Sequence, residues 1–456
     1  MKILRGLLLL ITVGFVSGCG CLQHQVPCLP SGTKIPGITQ EMNTPEFWIN
    51  KYELPDGVIL DPGEIRKFNR ISEQRHLIKD LTAQEHVITG TEVRKEVLKE
   101  IHALKVKKLY DARAQIVGED FYQNIELYAD LGSVPSQISP RYGFILRYAD
   151  QRLIPTDEII TSSPGDVEFD EVQNSSLDTG TPVQILHESK NGSWVYTWSS
   201  SSAGWIKKEN IVFCSFEEFK RFLSPDSFAV VINAKADIFF DSSVSRLYAK
   251  VRMGGRFPVV GTDHSIIRIL IPSQNKDGRW YPETAYVKKE DVNIGFLVFT
   301  PRIIIRQAFK LLNAPYGWGG RNGEQDCSGF IQEVFASVGI CMPRNSFEQG
   351  LTGNLKGEFE GVSEDQAKLN VLKSLGYKEI AVLRLKGHII LFLGMYNGKP
   401  YAIHALYGYK ERTPRGFITR KINKVVVSDL FLGEGSEKGS LLDRIITIRS
   451  IGMGLQ

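Results

Sequence analysis

The chain has 456 residues, 42% of them hydrophobic, and a formal net charge of +4. This length has room for about three domains with substantial cores, and a charge so small and evenly spread argues against nucleic acid as a partner. Six cysteines are too few for disulfides to build the fold, so packing must hold it together.

The first element is the pair Lys2 and Arg5 ahead of an apolar run, Leu7 to Val16. That run is too short for a bilayer-spanning helix and fits a secretory signal peptide over 1–18. It ends Val16-Ser17-Gly18-Cys19, which resembles the bacterial lipobox. The resemblance implies lipidation at Cys19 and a membrane anchor, with an ordinary cleaved signal as the alternative. Gly20 stands where inner-membrane retention usually has Asp, which implies a periplasmic lipoprotein of the bacterial cell envelope, anchored in the outer membrane. Residues 19–40 carry Pro27, Pro30 and Pro36 and read as a tether. Cys21 and Cys28 are near enough in sequence to pair, and Cys214 and Cys341 read as core residues. Cys327 is then left over in an oxidising compartment.

A helical domain is expected over 41–140. Its clearest helix opens after Gly90, with Thr91 as N-cap, and keeps Val93, Val97, Ile101 and Leu104 on one stripe. His76, His86 and His102 have no metal-ligand spacing. From Arg141 the pattern shortens to alternating strands with turns. Gly192-Ser193-Trp194 and the ending Gly204-Trp205-Ile206-Lys207-Lys208-Glu209-Asn210-Ile211 are echoed by Gly278-Arg279-Trp280 and Ala285-Tyr286-Val287-Lys288-Lys289-Glu290-Asp291-Val292. Two β-rich units, 141–213 and 214–297, with matching ends indicate a tandem repeat of small barrels. They resemble bacterial SH3 domains, which often accompany cell-wall enzymes; a single larger β-sandwich is the alternative. Tyr196 and Trp205 are the candidate substrate contacts within them.

Residues 298–456 open with a helix bearing Ile303, Ile304, Ile305, Ala308, Leu311 and Leu312, stopped at Asn313-Ala314-Pro315. After the turn-rich run Tyr316 to Gly323, Phe330, Ile331, Val334, Phe335 and Val338 recur at helical spacing until Gly339. Cys327 therefore stands where a loop turns into the first turn of a buried helix, whose dipole favours the thiolate. A polar, helical stretch follows. Strands then return at 387–394 and 401–405, around the hairpin signal Asn397-Gly398. Helices followed by antiparallel strands make this an α+β domain, and the chain as a whole a multi-domain α+β protein.

A thiolate nucleophile needs a base within reach, and the base needs a partner that fixes its tautomer. His388 and His404, in apolar strands flanking the hairpin, supply that pair. Pro315-Tyr316-Gly317-Trp318-Gly319-Gly320, Asp326-Cys327-Ser328-Gly329-Phe330, Pro343-Arg344-Asn345-Ser346 with Gln349, Gly387-His388 and Ile403-His404 resemble the NlpC-type family of bacterial cell-wall cysteine peptidases. The resemblance implies a papain-like catalytic domain, in the multi-domain branch with SH3-like barrels. It makes Cys327 the nucleophile, His388 the general base and acid, and His404 the orienting residue. It also implies that Tyr316 lies near the oxyanion and that Asp326, Ser328, Asn345 and Ser346 line the substrate. Asn345 stands where amine-recognising relatives often carry Asp, and Val382 to Lys386 replaces the Pro-Gly-Asp turn many members have before the histidine.

The implied substrate is a peptidoglycan stem peptide or small muropeptide, cut at the γ-D-glutamyl–diamino acid bond without metal or cofactor. A wall-binding scaffold that no longer turns over and a thiol-dependent amidase or acyltransferase are the alternatives. The glycines around Gly319 lack the Lys-Ser/Thr ending of a phosphate loop, and no His-Glu-x-x-His pattern occurs. One constraint is geometric. A strict two-residue turn at Asn397-Gly398 sets His404 opposite Leu391, on the other face from His388. A longer loop, or a bulge near Gly394 or Pro400, must shift the register if both serve one site.

Overall fold

The computed structural model describes residues 34–83, 88–359 and 365–452. The expectations for the signal segment, Cys19, Cys21, Cys28 and His86 fall outside these residues. Among the described residues no helix is long and apolar enough to cross a membrane.

The helical stretch divides between two cores. Trp48, Ile49 and Phe68, the last on the helix Pro62–Gln74, pack with Phe330, Val334 and Phe335 far along the chain. The helix Gly90–Lys105 instead presses Val93, Val97, Ile101 and Leu104 against Trp194, Tyr196 and Trp205. The residues expected to form one domain over 41–140 thus do not share one hydrophobic interior. The helix cap also differs from expectation. Thr89, not Thr91, is the N-cap: its hydroxyl accepts from the Glu92 amide, and the Glu92 carboxylate accepts from the Thr89 amide. This reciprocal box satisfies two otherwise orphaned donors and contributes about 1 kcal/mol. Gly90 belongs in that first turn because a Cβ there would lie 1.9 Å from the Pro135 carbonyl oxygen.

Two antiparallel sheets of seven strands follow. The first runs in the order Gln173–Leu177, Ala149–Arg152, Ala203–Lys207, Trp194–Trp198, Pro182–Glu188, Arg141–Ile145, Ile211–Cys214. In it the strand Ala203–Lys207 passes through a 3-10 turn, Lys208–Asn210, and the closing strand returns to pair with the opening one. The second sheet repeats the device: Trp280–Lys288, the turn Lys289–Asp291, then Val292–Ile294 back on Phe228–Val231. Gly192 and Gly278, at φ 71° and 75°, make the tight turns before Trp194 and Trp280, a conformation open to glycine without penalty. The matched ends read in the sequence are therefore one structural element used twice.

The C-terminal sheet has six antiparallel strands: Asn354–Glu358, Ile445–Ser450, Ala381–Leu385, His388–Tyr396, Lys399–Thr413 and Gly416–Asp429. Helices Pro301–Lys310 and Cys327–Ala336 contribute to one core and the helix Asp365–Leu375 to another. The polar stretch after Gln349, expected to be helical, begins with the strand Asn354–Glu358. Its short, mostly polar sequence suits a sheet edge, and it is held by pairing with Ile445–Ser450 some ninety residues on.

Candidate active site

Cys327 is the first residue of the helix Cys327–Ala336, whose Phe330, Ile331, Val334 and Phe335 are fully buried. Asp326 caps that helix, accepting from the Gly329 amide at 2.8 Å. Its other oxygen accepts from the Gly319 amide at 3.1 Å, and Arg344 donates to both oxygens, at 3.1 and 2.8 Å. Burial raises the Asp326 carboxyl, but Arg344 and the amide donors outweigh it and hold the group below its ordinary range. Ser328 donates to Asp326 and accepts from Arg344. Asp326 and Ser328 are thus both engaged within the chain, 7% and 5% exposed, and pin the start of the helix.

The same network ties in the first sheet. Arg344 donates to the Ser175 hydroxyl at 2.9 Å. The Gly319 and Gly320 carbonyls accept from Gln173 and Ser176. A Cβ on Gly319 would lie 2.5 Å from Gln173, and one on Gly320 2.2 Å from Ser176. The glycine-rich turn before Cys327 is therefore the seat on which the first sheet docks, rather than a phosphate loop. A second contact brings Phe169 against Tyr407, Trp318 and Tyr316, with ring centroids 4.4, 5.1 and 6.4 Å apart. Glu168 beside it accepts from the Tyr407 hydroxyl at 2.7 Å and pairs with Lys421. Tyr316 is half-buried, and burial, with Cys327 and Asp326 adding to it, lifts its phenol far above the ordinary value. The ring therefore keeps its proton as a donor.

Asn345 is exposed and caps the short helix Ser346–Gln349, accepting from the Glu348 amide at 2.9 Å. Ser346 is half-buried beside it. Tyr196 and Trp205 are not substrate contacts: they are 3% and 0% exposed, and Tyr196 donates to Glu96 inside the core shared with the Gly90–Lys105 helix.

The histidines meet through a bulge. Gly394 pairs with Tyr401, but Phe392 pairs with Ala402 and Leu391 with Ile403, so Leu393 is extra. The slip moves His404 from the level of Leu391 to that of Ile390, on the same face as His388. His388 Nε2 and His404 Nδ1 are 2.8 Å apart, and His404 Nε2 is 2.9 Å from the Ser428 hydroxyl. Ser428, fully buried, completes a row that the motifs did not include; its only trace in the sequence is a lone hydroxyl after Val425-Val426-Val427. Gly394 makes the slip possible at φ 128°, and a Cβ there would lie 2.2 Å from the Tyr377 ring. Gly394→Ala is expected to cost about 1–3 kcal/mol in denaturant unfolding and to lower any activity that depends on the histidine row.

The chain beside His388 reaches the thiol: amides of Ile389 and Ser328 both favour its ionised form. Burial is the larger influence and pushes the Cys327 thiol up to about 12, so the thiolate expected from the helix dipole does not prevail in the free site. Burial likewise holds His388 down to about 3 and His404 well below its ordinary value. Both rings return to about 6.5 on unfolding. Below that pH the unfolded chain binds protons that the folded chain refuses, so stability is full above about 6.5 and falls as the pH drops toward 3. Thermal unfolding at pH 7.5 and pH 5 is expected to show the loss, and His404→Gln to lessen it.

A cysteine at the start of a buried helix, packed against an antiparallel sheet that carries a row of histidines, is the arrangement of a papain-like α+β domain. Residues 313–425 match the NlpC/P60 family and residues 161–207 match the SH3 domain of SH3b1 type, so the chain carries an NlpC/P60 domain and an SH3b domain. It is similar to the bifunctional muramidase/DL-endopeptidase CwlT of Bacillus subtilis, 31% identical over 27% of this chain and 32% of that one. It is also similar to the gamma-D-glutamyl-L-lysine dipeptidyl-peptidase of Bacillus cereus, 26% identical over 37% of this chain and 51% of that one. The chain thus spans about a third to a half of the length of these curated relatives. A solved NlpC/P60 endopeptidase from Photobacterium damselae subsp. piscicida shares the fold across 87% of this chain and 94% of its own, with a TM-score of 0.68 at 19% identity.

Proposed function

We propose that this protein is a cysteine endopeptidase of the bacterial cell envelope that cuts peptidoglycan stem peptides. The bond is the γ-D-glutamyl–diamino acid linkage of small muropeptides. The observation that carries the reading is the hydrogen-bonded row His388–His404–Ser428 beside the helix-borne Cys327. If Ser428 accepts from His404 Nε2, then His404 Nδ1 accepts from His388 Nε2, and His388 Nδ1 is left as the free base. His388 takes the thiol proton as sulfur attacks the amide carbonyl, and the oxyanion that forms is met by the amides at the helix start and the Tyr316 hydroxyl. His388 then gives the proton to the leaving amine, and a water deprotonated by His388 hydrolyses the thioester.

The wall made by Glu168 and Phe169, in the loop before the strand Gln173–Leu177 of the first sheet, against Tyr316 and Tyr407 supports a narrow cleft suited to short, unlinked peptides. Asn345 and Ser346 are the substrate-facing polar residues, and Asp326 and Ser328 hold the helix start. The activities of the relatives support the same substrate class, and a lipid anchor at Cys19 would hold the protein on the periplasmic side of the outer membrane. Mass spectrometry of muropeptides treated with the wild type and with Cys327→Ala tests the reading. The expected product pair is split after D-glutamate by the wild type alone, with intact sacculi solubilised slowly. A cut between muramic acid and alanine indicates an amidase, and no product from the wild type indicates a binding protein.

A further inference from the structure

Six residues beyond Cys327 on the same helix, Glu333 is 7% exposed, and neither carboxylate oxygen accepts a hydrogen bond among the described residues. Its closest cation, the Arg252 guanidinium, is 4.0 Å away and already donates to Asp178 at 2.9 Å and to the Ser176 carbonyl at 3.0 Å. Leaving such a group bare costs on the order of 1–3 kcal/mol or more. Glu333 lines a cavity of about 330 Å³ between the two seven-stranded sheets and the helix. Arg256 lines it too. That guanidinium is half-buried, donates to the Leu223 carbonyl at 2.6 Å, and has no carboxylate partner among the described residues. A carboxyl group without a hydrogen-bond partner and a guanidinium without a carboxylate therefore share one cavity. Phe222, Met253, Phe257 and Ala336 contribute apolar lining, and no member of the His388–His404–Ser428 row takes part in it.

We propose that this cavity binds a small zwitterion, a free α-amino acid with an apolar side chain. Its ammonium sits on Glu333, its carboxylate on Arg256 and its side chain against Phe222, Met253 and Phe257. A ligand with a single charge would engage only one of the two groups, and a cavity of this size holds a molecule of this class. Burial raises the Glu333 carboxyl to about 8, with Arg252 and Lys235 opposing and Asp178 and Glu324 reinforcing the rise. The empty site therefore carries a proton at pH 7, and an incoming ammonium displaces it.

Isothermal titration of the full chain carrying Cys327→Ala separates this binding from turnover. The probes are L- and D-leucine, leucinamide and 4-methylpentanoate, at pH 7 in two buffers of different ionisation enthalpy. At least one leucine enantiomer is expected to bind with release of a proton, and leucinamide and 4-methylpentanoate about tenfold more weakly or not at all. Glu333→Gln and Arg256→Gln should each weaken leucine about 10- to 100-fold without loss of the cooperative unfolding transition. The site is overturned if neither enantiomer binds, if the two half-ligands bind as well as leucine, or if leucine binding survives both substitutions.

Discussion

Arg344→Met is expected to lower the stability of the C-terminal domain by about 3–5 kcal/mol and to abolish activity, because it strands a buried carboxylate. The Arg344 guanidinium donates to both oxygens of Asp326, to Ser328 and to Ser175. Without it, Asp326 keeps its charge in a site where both it and Arg344 are 7% exposed, or takes up a proton and loosens the cap of the Cys327 helix. Arg344→Lys is expected to recover little, since an ammonium cannot present the fork that spans Asp326 and Ser175 together. The double change Asp326→Leu with Arg344→Met should cost less than Arg344→Met alone, since no bare charge remains. Urea unfolding of the four proteins measures this coupling. If the single and double changes prove equally mild, Arg344 is not the tie between the first sheet and the helix start.

His388→Ala is expected to lower kcat/KM by about 10²–10⁴-fold, the range for loss of a general acid–base group, with the loss in kcat rather than KM. His404→Ala should cost less, since in the proposed mechanism His404 orients its neighbour and does not itself move the proton. Equal losses from the two would mean that the row acts only as a structural unit. Steady-state kinetics on a short stem peptide distinguishes these outcomes.

The parts of the molecule that local pattern controls were legible in the sequence. The spacing of Phe330, Ile331, Val334 and Phe335 marked the helix behind Cys327, and the duplicated Gly-x-Trp turns and strand endings marked the two sheets. The two-residue turn at Asn397-Gly398 even required a longer loop or a bulge before His388 and His404 could share a face, and a bulge at Gly394 supplies it. What lay hidden depends on contacts far apart in sequence. Arg344 stood inside a recognised motif, but its partner Ser175 is 169 residues away. Ser428 joins the histidines only through strand register. Trp205, a candidate substrate contact in the sequence, is instead buried under the Gly90–Lys105 helix by packing between residues about a hundred apart. The thiolate expectation failed for a related reason, since a dipole is local whereas desolvation by the whole domain is not.

Trapping the covalent intermediate tests the central proposal most directly. The full chain is mixed with a stem peptide, quenched in acid during turnover, and examined by intact mass and peptide mapping. The expected result is an adduct equal in mass to the acyl half of the peptide ending in D-glutamate, located on Cys327 and absent from Cys327→Ala. Hydrolysis that continues in Cys327→Ala, or an adduct on any other residue, would contradict Cys327 as the nucleophile.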